Sequence, residues 1–362
     1  MDPTTTFCPN EHGHARGQTG MGNMGIHAQK EQRCLCHACH QTFSARPGTV
    51  CYRLRPSAAT VVLVVTWLAH GCPLHAMVAA GGFDERTVAD WWARSGRQGQ
   101  AVQEDVVKQP RDVGQVQADA IRVKKQGGSV WMALAMMVTT RVWWGGEGSE
   151  PRARTLIRRR LERVRHGALH RPLLYCIDGV CTAIRALRET VRDPVRTGTG
   201  GRPRLRPWRN VLSAHVGKRD ERRRVVATER RMVDGTSARV ETLRRRSPGA
   251  GVSNTADSER LNGTVRAHLA PLARRCRALA RETLTLHEGM CLGGTVEHLC
   301  LPHASLCRAQ QTTPAMAAGI TDHCWTMPAL LSLHVPLPRW VPPKQRGRPS
   351  RALQRLIKRW CS

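Results

Sequence analysis

Short apolar runs in the middle of the chain constrain its fold more than any other feature. Between residues 115 and 178 the order is strand, strand, strand, basic helix, strand. The last run, Leu173–Ile177, is fully apolar, which is typical of a central strand covered on both faces. The segments are 116–123, Val130–Val138, Arg141–Trp144, the helix Arg152–Arg165 and Leu173–Ile177, followed later by strand-like runs at 211–216 and 224–227. The pattern predicts an α/β fold with a mixed sheet and flanking helices.

Three acidic residues stand out in basic or apolar surroundings. Asp119 lies on the first of these strands, Asp178 ends the fourth, and Glu259 lies at the head of a helical pattern. A carboxylate at a strand end costs stability if it is buried and unpaired. Two such carboxylates and a third on a helix fit a pair of divalent cations used in phosphoryl transfer. We predict that all three are catalytic and bind Mg²⁺ or Mn²⁺; the alternative for each acid alone is a turn or cap residue.

The charge of the chain points to a polyanionic partner. Lys and Arg total 57 against 27 Asp and Glu, a formal charge of +30. Such an excess repels itself unless an anion shares it, and the planar guanidinium of Arg suits phosphate. The favoured partner is nucleic acid, and the alternative is a solvated basic surface. The longest apolar stretch, Ala58–Ala69, is too short to span a membrane, and no signal peptide opens the chain, so we expect a soluble cytoplasmic protein.

The first 55 residues predict a metal-stapled module. They are rich in Gly, His and Cys and have little hydrophobic periodicity, so they cannot bury enough apolar surface alone. Cys36 and Cys39 have the C-x-x-C spacing of a zinc knuckle. Cys8 is a further cysteine of this segment and a candidate ligand of the same ion.

The fourth zinc ligand is left open by the sequence. His12 and His14 lie a few residues after Cys8. Either imidazole is a suitable zinc ligand. Cys34 is a further candidate, although its spacing from Cys36 is awkward for the same ion.

Residues 56–97 have the pattern of short helices. Ala58–His70 and Leu74–Ala80 are followed by a glycine turn, the N-cap Asp84 and a third helix, Glu85–Arg94. This arrangement predicts a helix-turn-helix, and the alternative is a small helical linker bundle. The polar residues 97–114 predict a linker. The candidate DNA-binding residues of the third helix are Arg86, Thr87, Asp90 and Arg94.

Two arginine-rich segments add candidate DNA contacts. Pro194–Pro207 has the composition of a basic loop, and it contains the sequence Gly-Arg-Pro-Arg at 201–204. A similar Arg-Gly-Arg-Pro stands at 346–349, and both resemble AT-hooks, in which Arg enters a narrow minor groove. A flexible loop that touches phosphates is the alternative. The candidate residues are Arg202, Arg204, Arg206 and Arg348.

In their order along the chain these motifs resemble the DDE transposases of bacterial and archaeal insertion sequences. The similarity is to the group that joins an N-terminal zinc ribbon and a helix-turn-helix to a ribonuclease-H-like core, and it extends from Cys8 to Leu306. The segments that carry it are 36–43, 118–124, 176–179, 258–262 and 269–272. It implies a zinc ribbon at 1–55, a helix-turn-helix at 56–97, a catalytic core at 115–306 and a Pro-rich and basic tail at 307–362.

The resemblance also implies an activity. A protein of this kind binds the terminal inverted repeats of its element as double-stranded DNA and acts as a homo-oligomer on DNA, in the nucleoid. It cleaves the ends and transfers them to a target with two divalent ions held by Asp119, Asp178 and Glu259. Zn²⁺ is the expected ion of the ribbon.

Several positions depart from the family pattern. Ala120 stands where a Glu is usual, and Asp257 and Ser258 stand where an aromatic and an aliphatic residue are usual. Gly13 stands where the resemblance implies a second cysteine of a knuckle that begins at Cys8. These departures support an alternative, a non-catalytic DNA-binding protein derived from a decayed or repurposed transposase. A basic RNA-binding or ribosome-associated protein would explain the charge but leave the three acids unexplained.

Overall fold

The computed structural model describes most of the chain. The described residues are 2–44, 46, 48–107, 109–150, 154–169, 171–178, 181–195, 203–208, 210–221, 224–246, 255–272, 279–307, 310–335, 337, 339–344 and 347–361. For Asp178 the description covers the backbone alone. The predicted DNA contact Arg202 lies outside the described residues.

The described residues form strands and helices along the whole chain. The strands are β1 (Met24–Ala28), β2 (Arg33–Cys36), β3 (Thr42–Ser44), β4 (Gln115–Lys125), β5 (Gly128–Met137), β6 (Trp143–Ser149), β7 (Leu173–Asp178), β8 (Arg192–Val195), β9 (Arg204–Pro207), β10 (Val211–Glu221) and β11 (Arg224–Asp234). The helices are α1 (Ala58–Ala69), α2 (Leu74–Gly81), α3 (Glu85–Val102), α4 (Arg154–His166), α5 (Cys181–Thr190), α6 (Ser237–Arg246), α7 (Ala256–His268), α8 (Thr283–Leu299), α9 (Pro314–Ala317), α10 (Met327–Ser332) and α11 (Arg351–Trp360).

The chain packs as two compact units, and the first joins both ends of the sequence. It comprises Met1–Val62 and Pro328–Ser362. Its sheet is the antiparallel ribbon β1-β2-β3. Its apolar core lies beside this ribbon and consists of Cys8, Ala15, Met24, Cys34, Cys36 and Trp360. Residues near 360 therefore complete a core that begins near residue 8.

The second unit, Leu63–Met327, contains a six-stranded mixed sheet in the order β11-β10-β7-β4-β5-β6. β4, β5 and β6 form an antiparallel meander, β7 runs parallel to β4, and β10 runs parallel to β7. β11 extends the far edge antiparallel to β10. The predicted α/β class with a mixed sheet is confirmed, and the topology is compatible with a ribonuclease-H-like core.

Helices cover both faces of this sheet. The reason is that β7 carries apolar side chains on both of its faces. On one face Val116, Ala118, Tyr175 and Ile177 pack with side chains of α4 and α5, such as Leu161. On the other face the buried cluster is Leu174, Cys176, Leu212, Ala214 and Leu243, the last from α6. β7 is thus buried on both sides, as its apolar run predicts.

The predicted linker at 97–114 is wrong over its first half. α3 continues to Val102, and a π-helical turn follows at Gln103–Val107. The polar and glycine residues of this segment have the composition of a linker, but its glycines allow α3 to pack closely on α8. A Cβ on Gly96 would lie 2.4 Å from Cβ of Glu288 in α8, and one on Gly99 would lie 2.8 Å from the carbonyl oxygen of Cys291.

Two further predictions need correction. The predicted loop Pro194–Pro207 contributes to the antiparallel pair β8–β9, in which Arg192 pairs with Pro207 and Val195 with Arg204. The predicted strand Arg141–Trp144 begins only at Trp143, because Arg141 occupies a turn with a left-handed φ of 65°. Such a conformation is costly for a residue with a side chain and is held by the surrounding structure.

Across the described ranges, every helix is either too short or too polar to cross a lipid bilayer.

Candidate active site and candidate metal centre

The register between β4 and β7 places two of the predicted catalytic acids on neighbouring strands. Ala118 pairs with Ile177 in the parallel ladder, so Asp119 and Asp178 are the next residues on each strand. Adjacent strands lie about 4.8 Å apart. Asp178 also lies opposite Val216 of β10, which makes it an interior position of the sheet.

α7 packs against β4 at the position of Asp119. The buried residues of the helix, Ser258, Leu261, Asn262 and Val265, follow the spacing of one helical face. The side-chain amide of Asn262 donates a hydrogen bond to Oδ2 of Asp119 at 2.5 Å, and the backbone N–H of Ala120 donates to Oδ1 at 2.6 Å. The carboxylate of Asp119 is therefore oriented by groups from both elements.

The side chain of Gln117 joins the start of α7 to β4. It is buried, with 1% exposure. Its Oε1 accepts a hydrogen bond from the N–H of Ser258 at 2.9 Å, and its Nε2 donates to Oδ2 of Asp257 at 3.2 Å. Oδ1 of Asp257 forms an ion pair with Nη1 of Arg141 at 2.7 Å. The two departures from the family pattern, Asp257 and Ser258, thus have a structural role in holding α7.

Glu259, the third predicted acid, lies on the first turn of α7, three residues before Asn262. It is exposed, and its Oε1 accepts a hydrogen bond from the hydroxyl of Thr255 at 3.1 Å. The helix thus carries Glu259 and the partner of Asp119 on adjacent turns. The structure brings Asp119 and the α7 segment together, and the distance from Glu259 to Asp178 lies outside what it describes.

A buried cation supports β4 from the opposite face. Nη1 of Arg160, a residue of α4, donates to the backbone oxygen of Asp119 at 3.1 Å. Arg160 has only 5% exposure. Burial raises the pKa of the neighbouring Tyr175 hydroxyl, and the charge of Arg160 opposes that rise.

Sequence reasoning did not find the residues that hold this site: Gln117, Asn262, Arg141 and Arg160. One signal was available. Gln115, Gln117 and Asp119 alternate along β4 and so share one face of the strand. A row of polar residues on a strand beside a central apolar run indicates that a polar partner covers that face.

The first unit contains a candidate metal centre. The sulfur atoms of Cys8, Cys36 and Cys39 all lie within 4.8 Å of one another, and the sulfurs of Cys8 and Cys39 are 3.6 Å apart. All three are free thiols. Cys36 ends β2, and Cys39 follows in a tight turn in which the N–H of His40 donates to the oxygen of Cys36. Cys8 is held by a bridge to Arg16.

This arrangement fits zinc. Zn–S bonds of about 2.3 Å in a tetrahedron place the sulfurs about 3.8 Å apart. The pKa of the Cys39 thiol is lowered: burial raises it, but hydrogen bonds from the backbone of Gln41 and the side chain of Asn10 more than offset the burial. Burial raises the pKa of Cys8. A thiol inclined to ionise beside two others is suited to a divalent metal.

The other candidate zinc ligands lie outside this group of sulfurs, among the residues that the structure describes. His12 is exposed, and the ring of His14 contacts the ring of Trp340 edge-on at 4.9 Å. Cys34 is buried and accepts a hydrogen bond from the hydroxyl of Thr6 at 3.8 Å. The fourth ligand stays a prediction.

The predicted DNA-binding residues are mostly at the surface. Arg86 and Asp90 are exposed on α3, and Asp90 pairs with Arg94 at 2.7 Å one turn later. The backbone N–H of Thr87 donates to the N-cap Asp84 at 3.0 Å, and its side chain is half-buried. Arg204, Arg206 and Arg348 are exposed.

Comparisons with known proteins give no direct guide to function: no protein-family model matches the chain, and no curated protein does.

Proposed function

We propose that the chain is a transposase-like enzyme that binds double-stranded DNA and cuts and joins it with two divalent metal ions. The observation that carries the proposal is the β4–β7 register, in which Asp119 and Asp178 follow the same paired residues on adjacent parallel strands. Two carboxylates at such positions are within reach of a shared metal site. α7, which carries Glu259, is attached to the same strand through Asn262.

The proposed chemistry assigns a role to each acid. Asp119 and Asp178 would hold the ions, and Glu259 would complete the site from the helix. The ions, when bound, would activate water or a 3′-hydroxyl and stabilise the leaving oxygen of a phosphodiester. Asn262 and the N–H of Ala120 would keep the Asp119 carboxylate oriented, and the charge of +30 would hold the DNA.

The N-terminal part of the proposal is a zinc ribbon and a helix-turn-helix that read the ends of the element. The three-cysteine group supports the ribbon, with His12 or His14 as the proposed fourth ligand. The exposed Arg86 near the start of α3 supports base contacts by that helix.

A cleavage assay on DNA that carries the inverted repeats flanking the coding sequence tests the proposal. With Mg²⁺, the full chain should cleave, and Asp119→Asn, Asp178→Asn and Glu259→Gln should each reduce the rate by more than about 100-fold, beyond the cost of losing an outer-shell partner. Asp112→Asn is the matched control, since that carboxylate pairs with Arg171 at the surface. Equal cleavage by Asp119→Asn and the control would reject the catalytic assignment.

A non-catalytic DNA-binding protein is the second candidate. Both oxygens of Asp119 accept hydrogen bonds from the protein, and Glu259 accepts one from Thr255, so these carboxylates have partners without a metal. Mn²⁺ titration separates the two candidates. The enzyme should bind Mn²⁺ and lose binding in Asp119→Asn, whereas the second candidate should bind DNA and no Mn²⁺ at this site.

A further inference from the structure

The helix α11 has two chemically opposite sides. Arg351, Arg355 and Lys358 are exposed at i, i+4 and i+7, which places them in one stripe along the helix. We call these three residues the basic stripe. On the other side Leu353, Leu356 and Ile357 are half-buried and Trp360 is buried. The helix is capped at its start by the hydroxyl of Ser350, which accepts from the N–H of Leu353 at 3.2 Å.

The apolar side of α11 packs on the candidate metal centre. Trp360 has 4% exposure and belongs to the same buried cluster as Cys8 and Cys36, and Leu356 packs against that cluster with Cys39. The backbone oxygen of Trp360 accepts a hydrogen bond from the side chain of Gln18 at 2.7 Å. The position of the helix therefore depends on the same residues that would bind the metal.

The unit that carries the basic stripe has a large excess of positive charge. The sequence contains no Asp or Glu after Asp322, while eight Lys and Arg follow it. The residues assigned to the first unit include fourteen Lys and Arg against three carboxylates, Asp2, Glu11 and Glu31. Such a surface attracts a polyanion strongly at low ionic strength.

The spacing of the basic stripe suits a nucleic-acid backbone. With a rise of 1.5 Å per residue, the stripe extends over about 10 Å. That length covers about three phosphates of one strand, which follow at about 3.4 Å along the duplex axis. Arg348 is exposed three residues before the helix, after Gly347 with a φ of 92° and before Pro349, so a further cation precedes the stripe.

We propose that α11 is a phosphate-binding helix for double-stranded DNA, and that the metal at Cys8, Cys36 and Cys39 holds it in place. The proposal rests on the proposed DNA-binding function and adds a surface and a dependence that the function alone does not require. The metal would hold the three cysteines in place, and Trp360 packs against the cluster that they form. The packing of Trp360 in turn determines which way the basic stripe faces. Loss of the metal then removes phosphate contacts without changing any charge on the helix.

The first test compares two triple variants of the full chain with equal charge. Arg351→Gln/Arg355→Gln/Lys358→Gln removes the stripe, and Arg158→Gln/Arg185→Gln/Arg245→Gln removes three exposed helical arginines that each pair with a Glu four residues away. Binding to a mixed-sequence DNA duplex is measured between 50 and 300 mM salt. The stripe variant should lower the slope of log K against log salt by about 3, one for each phosphate contact. The control variant should stay near wild type, and equal slopes for the two variants would overturn the proposal.

The second test removes the metal with 1,10-phenanthroline in the presence of excess Mg²⁺. The treated wild type should fall to the affinity of the stripe variant, and the stripe variant should lose nothing more, because both changes remove the same contacts. Independent, additive losses would overturn the coupling. Trp360→Phe tests the packing of Trp360 on the cysteines without changing any charge. It should weaken DNA binding and shift the absorption spectrum of Co²⁺ bound at the cysteines.

The outcomes separate this proposal from the proposed function. A wild-type chain that binds no duplex DNA contradicts the proposed function itself. A chain that binds DNA with identical slopes for stripe and control variants contradicts only the role of α11. Equal affinity and slope on an RNA duplex of the same length would overturn the assignment of DNA as the partner.

Discussion

Arg141 and Asp257 form an ion pair in which both side chains are largely buried, with exposures of 9% and 13%. Arg141 also donates to the hydroxyl of Ser305 at 3.2 Å, and Asp257 accepts from Gln117. A buried pair of this kind is costly to break because one charge is left without a partner in a low-dielectric interior. The left-handed backbone of Arg141 is thus part of the support of α7.

We expect Arg141→Met to destabilise the second unit by about 3 to 5 kcal/mol, since it leaves the Asp257 carboxylate buried and unpaired. Arg141→Met/Asp257→Asn should recover more than about 1 kcal/mol of that loss, because the amide is neutral and its oxygen still accepts from Gln117. The urea midpoint followed by tryptophan fluorescence measures both. A double variant less stable than the single one would contradict this account of the pair.

Glu297 predicts a dependence of stability on pH. Burial raises the pKa of its carboxyl to about 7, and its Oε1 lies 3.0 Å from Nε2 of His268. The folded state therefore binds a proton that the unfolded chain releases near pH 4.5, so stability is lost as pH rises from about 4.5 to about 7. Relative to Glu297→Gln, the wild type should be similar at pH 5 and less stable by up to about 3 kcal/mol at pH 8. A difference that does not change with pH would contradict the shift.

At the scale of elements, the contact between α3 and α8 predicts that Gly→Ala substitutions change stability in opposite directions inside and outside this contact. Gly96→Ala and Gly99→Ala should each destabilise by about 2 kcal/mol, because the new Cβ would lie 2.4 Å from Cβ of Glu288 or 2.8 Å from the oxygen of Cys291. Gly263→Ala in α7 is the control, with no atom within 4 Å of the new Cβ, and should stabilise by up to about 1 kcal/mol. Thermal unfolding of the three variants measures the contrast. Stabilisation by all three would mean that residues 96–99 do not pack as described.

The same elements show which parts of the fold are predictable from sequence. β5 and β7 are predictable because their residues form nearly continuous apolar runs, and β4 because polar and apolar residues alternate along it. The end of α3 is not predictable, because its buried Gly and Gln residues have the composition of a linker and become helical packing positions only through the approach of α8. The packing of Trp360 is not predictable either, since its partners lie more than 300 residues earlier in the sequence.

The candidate site divides in the same way. Asp119, Asp178 and Glu259 could be predicted because carboxylates among apolar and basic residues are chemically conspicuous. Asn262 and Gln117 could not, because an amide that orients a carboxylate is recognised only by its partner in space. Cys36 and Cys39 are predictable from their C-x-x-C spacing, and Cys8 from the resemblance to a zinc ribbon. The position of a fourth ligand depends on a turn that the spacing does not define.

At the scale of the whole molecule, the two units predict where the chain can be divided. A fragment of residues 57–327 should fold, since it retains all of α3 and its packing on α8. A fragment of residues 97–327 should not, because it removes Gly96, which packs on Glu288, and Trp92, whose indole N–H donates to the oxygen of Thr285 in α8. Circular dichroism and limited proteolysis of both fragments test this, and a cooperative, protease-resistant 97–327 fragment would contradict it.

The core around Trp360 is completed only at the end of synthesis. Cys8, Cys36 and Cys39 leave the ribosome early, but the indole that completes their cluster is made about 320 residues later, which at about 5 to 20 residues per second is a delay of roughly 20 to 60 s. During that interval three neighbouring thiols are available to solvent, to oxidants and to metal ions. A metal ion can therefore reach these three thiols before the ribbon has its final core, and Trp360 then packs on a cluster that is already metal-bound or still free.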